Sequence, residues 1–356
     1  MDSHAQPSVV IVGGGIAGLS VAKCLSDNGL SCTLIERENQ LGGHVRSWAC
    51  MATDRCLRCF CCTVEDLIDV VESSERVSVL TGCELESLER PGTNSFRVQV
   101  RNATNGDRQP VEAAAVVIAA GFTPYDPSEK VFWGYGVHRG VVTLQELDTL
   151  VRRDDLAGFV GESDEPLKMA FFQCVGSRDR SIGADYCSQY CCKAALRMAL
   201  RLRKDKPDWE ITIFYIDLQV AGKFAGSLLS LAEEKQIRLI QGVPGEIVPR
   251  EDGTLEILRE HKGVNVREIY DKIVLSVGQH PLPDVSRLSS LAGLETDRFG
   301  FLTAAGTQDP CRTRVDRVYV AGTVGGPKDI EQTVEHAGRT AAAVLADLNG
   351  SERTQQ

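Results

Sequence analysis

The 356-residue chain has no uncharged apolar run of about 18 residues or more, so nothing in it reads as a membrane-spanning helix. Its first residues, MDSHAQPSVV, lack a basic segment followed by an apolar stretch, so no secretory signal is expected and a cytoplasmic protein without membrane insertion is predicted. Positive charge is in deficit: 39 Lys and Arg stand against 49 Asp and Glu, a net charge of -10 at pH 7. That balance argues against nucleic acid and against an anionic membrane surface as partners. Histidines number only six. No metal-ligating pair and no Ser-His-Asp grouping stands out among them, which leaves no visible acid-base machine.

Cysteine is what the chain has in excess. Thirteen are present, although a chain of this length buries a core without disulfide staples. In a reducing compartment, cysteines that cluster in sequence point to metal or redox chemistry.

The start is the most readable part. VVIV (9–12) predicts a short buried strand, GGGIAG (13–18) a turn, LSVAKCLSDNG a helix closed by Gly29, and CTLIER a second strand ending in Glu36. Gly13, Gly15 and Gly18 fit the G-x-G-x-x-G spacing, and Glu36 follows Gly18 by 18 residues, near the interval at which an acid meets a ribose hydroxyl. Glycines let the backbone approach a pyrophosphate, whose charge is held by the amides and dipole at the helix start.

That fingerprint alone does not separate NAD from FAD. Context does. LGGH (41–44) follows the second strand, VVIAAG (116–121) ends in glycine, and VYVAG (318–322) runs into a glycine-rich turn and a helix. In that order these features resemble the two-dinucleotide-binding-domain flavoproteins of the thioredoxin reductase type. The resemblance implies an α/β fold of two Rossmann domains, the second inserted in the first, with FAD as cofactor. The divisions it implies are 1–150 for the first part of the FAD domain, 151–278 for the inserted domain and 279–356 for the last part of the FAD domain. Residues 77–115, with turn signals at PGTNS and NATNGDR, read as a small antiparallel insert.

In a pyridine-nucleotide domain the strand KMAFFQCVG would lead into a glycine fingerprint. Here QCVGSRDRSIGADYCSQYCC (173–192) takes that place, with the spacing C-x12-C-x3-C-C. The missing fingerprint argues against direct reduction by NAD(P)H at this site. A disulfide is disfavoured in a reducing compartment, and structural zinc favours two separated C-x2-4-C pairs. Adjacent cysteines have Cα atoms about 3.8 Å apart and diverging side chains. They suit a cubane, on which each thiolate takes its own iron, and four thiolates is the usual count for a [4Fe-4S] cluster. The cluster is the reading this spacing supports best.

The run FFQCVGSRD, then YCSQYCC, then SVG (276–278) and AGTVGGPKDIEQTVEHAG (321–338) is similar to the A subunit of the heterodisulfide reductases (HdrA) and their relatives, over roughly residues 8–348. The resemblance implies that Cys174, Cys187, Cys191 and Cys192 hold a [4Fe-4S] cluster near FAD. No C-x2-C-x2-C-x3-C run for ferredoxin-type clusters is present, which argues against flavin-based electron bifurcation within this polypeptide. In this the chain resembles the A subunit of the sulfur-oxidiser Hdr-like complex (sHdrA) and, less closely, the A subunit of the quinone-interacting Qmo complex (QmoA).

The FAD contacts carried by the matching motifs are Gly13, Gly15, Ile16, Ala17, Gly18, Glu36, Arg37, Gly42, Gly43, His44, Ala120, Gly121, Gly322, Thr323, Pro327, Lys328, Asp329 and Ile330. Thr323 stands where many FAD enzymes carry an aspartate on the ribityl chain. Lys328 and the amides opening the last helix are expected to face the N1/C2 carbonyl edge of the flavin ring, and Asp329 to cap that helix.

A second group, CMATDRCLRCFCC (50–62), holds Cys50, Cys56, Cys59, Cys61 and Cys62. A second cluster, a cluster shared with a partner, a dithiol beside the flavin and simple retained thiols all remain open for it. Cys24, Cys32, Cys83 and Cys311 are isolated and read as small hydrophobes.

What the resemblance implies for function is a homodimeric oxidoreductase component that passes electrons between FAD and the cluster and onward to HdrB-like and HdrC-like subunits. The whole complex would oxidise sulfane sulfur, with a lipoate-carrier protein as a further partner. Two alternatives stand beside it. One is a QmoA-like component serving a quinone-linked membrane complex and sulfate-reduction enzymes; the other is a self-contained NAD(P)H-dependent disulfide reductase.

Overall fold

A computed structural model describes residues 8–161 and 165–353, with side chains described as far as residue 350. The chain forms two compact units. One comprises Met1–Arg46, Phe60–Thr123 and Pro281–Gln356; the other comprises Ser47–Cys59 and Pro124–His280 and is inserted in the first.

The first unit is built on a parallel sheet in the order Val318–Val320, Ala115–Ile118, Ser8–Val12, Ser31–Ile35, Val77–Leu80. Its central strand reads SVVIV because helices cover both faces of a parallel sheet, and Val9, Val10 and Ile11 are fully buried. The crossover helix Ile16–Asp27 buries Leu19, Val21, Ala22 and Leu25, and ends before Gly29 in the left-handed conformation predicted for it. It packs against the last helix, Ile330–Arg353.

One detail differs from expectation. Val77–Leu80 is a fifth parallel strand, paired in register with Cys32 to Ile35, and the antiparallel insert is confined to Cys83–Gly92, Ser95–Asn102 and Arg108–Ala113. The turn signals in this region are strong, but they do not say which sheet a short strand joins.

The second unit repeats the plan. Its parallel sheet runs Arg238–Gln241, Glu210–Tyr215, Lys168–Val175, Lys272–Val277, Val141–Thr143. The strand Lys168–Val175 leads into a long loop and then the helix Cys191–Asp205, whose inner face carries Ala195, Leu196, Ala199 and Leu202. Strand order reverses on either side of Lys168–Val175, so its carboxyl end opens at the switch point where doubly wound sheets bind ligands. A three-stranded antiparallel sheet, Ile247–Pro249, Leu255–His261 and Val264–Tyr270, completes the unit.

Nothing in the sequence assigns residues 47–59 to this second unit. Ala49 and Met51 are buried in its core, and the helix Cys191–Asp205 grips the segment from outside. Arg197 donates to the Leu57 and Arg58 carbonyls at 2.9 and 2.8 Å, Arg201 to the Cys50 carbonyl at 3.1 Å and Lys204 to that of Thr53 at 3.3 Å. Among the described residues no helix is long and apolar enough to cross a membrane.

Candidate cofactor and cluster sites

In the first unit, the strand Ser8–Val12 ends in a turn that only glycine fits. Gly13 has φ +111°, and a Cβ there would lie 2.4 Å from the Ala119 carbonyl oxygen. A Cβ on Gly18 would lie 1.9 Å from the Gly13 carbonyl oxygen, so the helix start and the turn are in backbone contact. Gly15 has no side chain to cap the helix, and the amides of Ile16, Ala17 and Gly18 lack intrahelical acceptors by geometry. The arrangement is an anion cradle.

Glu36 is buried at the end of the second strand. Its Oε2 accepts the Gly14 amide at 2.6 Å and its Oε1 the Glu38 amide at 2.8 Å. Both oxygens keep lone-pair capacity for hydroxyl donors of a ribose. Arg37 beside it points to solvent. The Gly42 amide donates to the Gly14 carbonyl at 2.8 Å, which brings Gly42 and Gly43 against the glycine turn. His44 donates from Nε2 to the Phe122 carbonyl at 3.0 Å and lies tilted against the Phe122 ring, centroids 4.6 Å apart; burial lowers its pKa. Ala120 and Gly121 close the strand Ala115–Ile118, with Gly121 in a left-handed conformation.

The last helix begins at Ile330, just after Pro327. Asp329 Oδ1 accepts the Gln332 amide at 2.8 Å, while Gln332 Oε1 accepts the Asp329 amide at 3.0 Å, a reciprocal cap that matches the expected role of Asp329. The cap leaves the amides of Ile330 and Glu331 pointing out of the helix start. Lys328 Nζ donates to the Gly326 carbonyl at 3.2 Å, and burial lowers its pKa. Thr323 is buried.

One residue that sequence reasoning missed, His336, fixes this corner. Its Nδ1 accepts the Gly322 amide at 2.9 Å and its Nε2 donates to the Pro310 carbonyl at 3.0 Å.

In the second unit, all four predicted cluster cysteines come together at the carboxyl end of Lys168–Val175. Cys174 sits at an irregularity of the strand, with φ +61°. Arg178 and Gln189 in the same loop also have positive φ. Such backbone is uncommon outside glycine and concentrates at functional sites. Cys191 and Cys192 open the helix and are buried, whereas Cys174 and Cys187 are partly exposed.

The electrostatics show how close the thiols are. Cys192 and Cys187 raise the Cys174 thiol, the other three raise Cys191, and Cys187 raises Cys192, so the four lie within electrostatic reach of one another. Burial first, and then the Cys192 charge, push Cys174 up to about 11, against the pull of Arg178. Burial holds Cys191 well above the ordinary thiol range and raises Cys192.

The Cys187 sulfur accepts the Gln189 amide at 3.3 Å, and the Cys192 thiol donates to the Asp217 carbonyl at 3.9 Å. Among the described residues no three His, Cys, Asp or Glu side chains converge as a single ion needs. Four thiols within electrostatic reach of one another are the donor set that a [4Fe-4S] cluster takes.

The second cysteine group divides between the units: Cys50, Cys56 and Cys59 lie in the second and Cys61 and Cys62 in the first. Cys50 and Cys56 are exposed, and Cys56 Sγ accepts the Arg58 amide at 3.3 Å. Asp148 accepts the Ala49 amide at 2.6 Å and is pushed up to about 7, by burial first and less by the Cys59 thiol.

Comparison with known proteins agrees with this layout. Residues 11–63 match the family model described as an NAD(P)-binding Rossmann-like domain. The chain is 35% identical to the A subunit of the H(2):CoB-CoM heterodisulfide,ferredoxin reductase of Methanothermobacter thermautotrophicus, over 70% of this chain and 40% of that protein. It is 26% identical to the A subunit of the ferredoxin:CoB-CoM heterodisulfide reductase of Methanosarcina acetivorans, over 98% of this chain and 57% of that protein. With the second iron-sulfur A subunit of the CoB–CoM heterodisulfide reductase of Methanopyrus kandleri the values are 27%, 96% and 64%. The chain therefore spans between 40% and 64% of the length of these relatives.

Among solved structures, the thioredoxin reductase of T. acidophilum superposes with a TM-score of 0.62 at 17% identity, covering 96% of this chain and 99% of that one. The thioredoxin reductase of Lactococcus lactis gives 0.61 at 19% identity, covering 97% and 100%. The fold is that of the two-Rossmann-domain flavoproteins.

Proposed function

Over the span it shares with these relatives the chain belongs to the family of heterodisulfide reductase A subunits, and we infer that it is a FAD and [4Fe-4S] electron-transfer component of a heterodisulfide reductase-like complex. The observation that carries the reading is the set of four neighbouring thiols at the end of a parallel strand where a nucleotide-binding loop would stand. When bound, FAD supplies two-electron exchange and the cluster one-electron exchange.

The chain's own residues hold and orient. The glycine turn and the amides of Ile16, Ala17 and Gly18 hold the pyrophosphate, and Glu36 holds the ribose. The amides of Ile330 and Glu331, with Lys328 nearby in the chain, would supply positive potential to a flavin bound at this helix start and so favour added charge on it. Cys174, Cys187, Cys191 and Cys192 would be the thiolate ligands, with the Gln189 amide on Cys187 offsetting part of their charge. No residue in either site is placed to act on a sulfur substrate, so that chemistry belongs to partner subunits of the HdrB and HdrC kind. The sulfur-oxidising complex, with its lipoyl carrier, is the setting this reading favours.

The test is iron, sulfide and flavin content with an EPR spectrum before and after dithionite, on protein purified without air. About four irons per FAD with a signal on reduction supports one cubane. Iron and sulfide absent from flavin-loaded protein overturns the reading. NADH and NADPH are expected to leave the flavin oxidised, because the loop 173–192 has no pyridine-nucleotide fingerprint; bleaching within seconds would instead favour a self-contained reductase.

A further inference from the structure

Two polar side chains at the cluster loop are buried without a partner. Gln173 and Ser177 are each only 1% exposed, and Gln173 Oε1 and Ser177 Oγ have no hydrogen bond within the protein. An unmade hydrogen bond of this kind costs about 1–3 kcal/mol, and native proteins keep few of them. Here two fall within five residues, and Cys174 lies between them.

Several neighbouring polar groups are bonded. Gln173 Nε2 lies 2.9 Å from Ser276 Oγ. The Ser188 hydroxyl accepts the Gln279 amide at 2.9 Å, and the Tyr190 hydroxyl donates to the Val277 carbonyl at 2.7 Å. These bonds tie the strand Lys272–Val277 to the loop that carries Cys187 and Cys191. The Ser177 amide lies 3.4 Å from the Cys174 carbonyl, so the serine is folded back on the cysteine turn.

Both groups can donate. Ser177 carries an O–H. If the Gln173 amide turns over, its bond to Ser276 survives with the roles reversed, the serine hydroxyl donating to Oε1 and the NH2 taking the unpartnered direction. The sulfurs of a cage bound at this loop, cysteinyl and inorganic, are acceptors for such donors.

We propose that Gln173 and Ser177 donate hydrogen bonds to sulfurs of the cluster and thereby raise its reduction potential. Reduction brings one electron to the site, with no bond broken and no proton moved, so the donors meet one more negative charge in the reduced form and favour it. The inference rests on the cluster reading given above.

The test uses the full chain purified without air, as wild type, Gln173→Leu, Ser177→Ala and the double variant. Iron per chain is measured, and the midpoints of cluster and flavin are followed in one EPR and optical redox titration. The expected result is a downward shift of the cluster midpoint in each single variant and a larger one in the double, with iron content and the flavin midpoint unchanged. Cluster midpoints that match wild type in variants that keep their iron overturn the proposal. Should Gln173→Leu lose its iron, the Ser177→Ala midpoint decides alone. A wild-type protein with no cluster signal overturns the parent reading, and this inference with it, and is distinguished by the iron count before any variant is titrated.

Discussion

The chain builds the same parallel sheet twice and equips the two crevices differently. At the end of Ser8–Val12 stands a glycine turn in backbone contact with the following helix; at the end of Lys168–Val175 stands a loop of cysteines, twisted through three non-glycine residues of positive φ. In both units the fold supplies the same things, a strand end and a helix start with outward amides. The side chains decide whether those amides meet a phosphate or a sulfur. The doubly wound sheet thus fixes where a ligand binds, and a stretch of about twenty residues fixes which one.

The strongest way to break this comparison is to strip one crevice and leave the other. Replacing Cys191 by Ala should take iron from about four per chain to near zero while FAD remains bound; wild-type iron content in that variant would show the ligand assignment to be wrong. Cys56→Ser serves as its control, since Cys56 is exposed and bonds only locally, and iron should not change.

The reciprocal experiment is Gly18→Ala. Its Cβ would fall 1.9 Å from the Gly13 carbonyl oxygen, so the turn must shift, at a cost of about 3 kcal/mol. Flavin should be lost on gel filtration with iron retained. A stable, flavin-loaded variant would mean that the contact between turn and helix is not needed.

A third test sharpens the boundary of the second unit through Asp148, whose carboxyl burial pushes up to about 7. An acid with a raised folded pKa keeps its proton in the native state while the unfolded chain, near pH 4, has lost it. Its contribution therefore makes stability fall as pH rises from about 4 to 7. Asp148→Asn, which can still accept the Ala49 amide, should flatten that slope by a few kcal/mol at most. Parallel urea midpoints for the two proteins across this window would remove Asp148 from the account.

The smallest effect belongs to the flavin edge. Lys328→Met should lower the flavin midpoint by the equivalent of about 1 kcal/mol, the scale of one charge at a partly wet site. An unchanged midpoint would return Lys328 to a purely local role, its bond to the Gly326 carbonyl.

Much of this was legible in the residues because the determinants are local. The glycine spacing, Glu36, the Asp329 cap and the cysteine spacing are short patterns with a direct physical cause. What the sequence hides is main-chain chemistry brought in from elsewhere in the fold. The Asp217 carbonyl that accepts the Cys192 thiol comes from beyond the next strand, and any residue type offers such a carbonyl. His336 is equally silent, because its two partners are the Gly322 amide and the Pro310 carbonyl. Val77–Leu80 was misplaced for a related reason: a four-residue strand takes its sheet from its neighbours, not from its own composition.

The grip of the helix Cys191–Asp205 on residues 47–59 has the same character. Arg197, Arg201 and Lys204 hold carbonyl oxygens and ignore the side chains of the residues they hold, Cys50 included. A clamp of that kind is blind to sequence. Substitutions at the exposed positions of the held segment, Cys50 and Cys56 among them, can accumulate without loosening it, whereas its core residues Ala49 and Met51 and each of the three basic residues are hard to exchange. Within this clamp, divergence over generations is expected to fall on the captive strand of chain and to spare the hands that hold it.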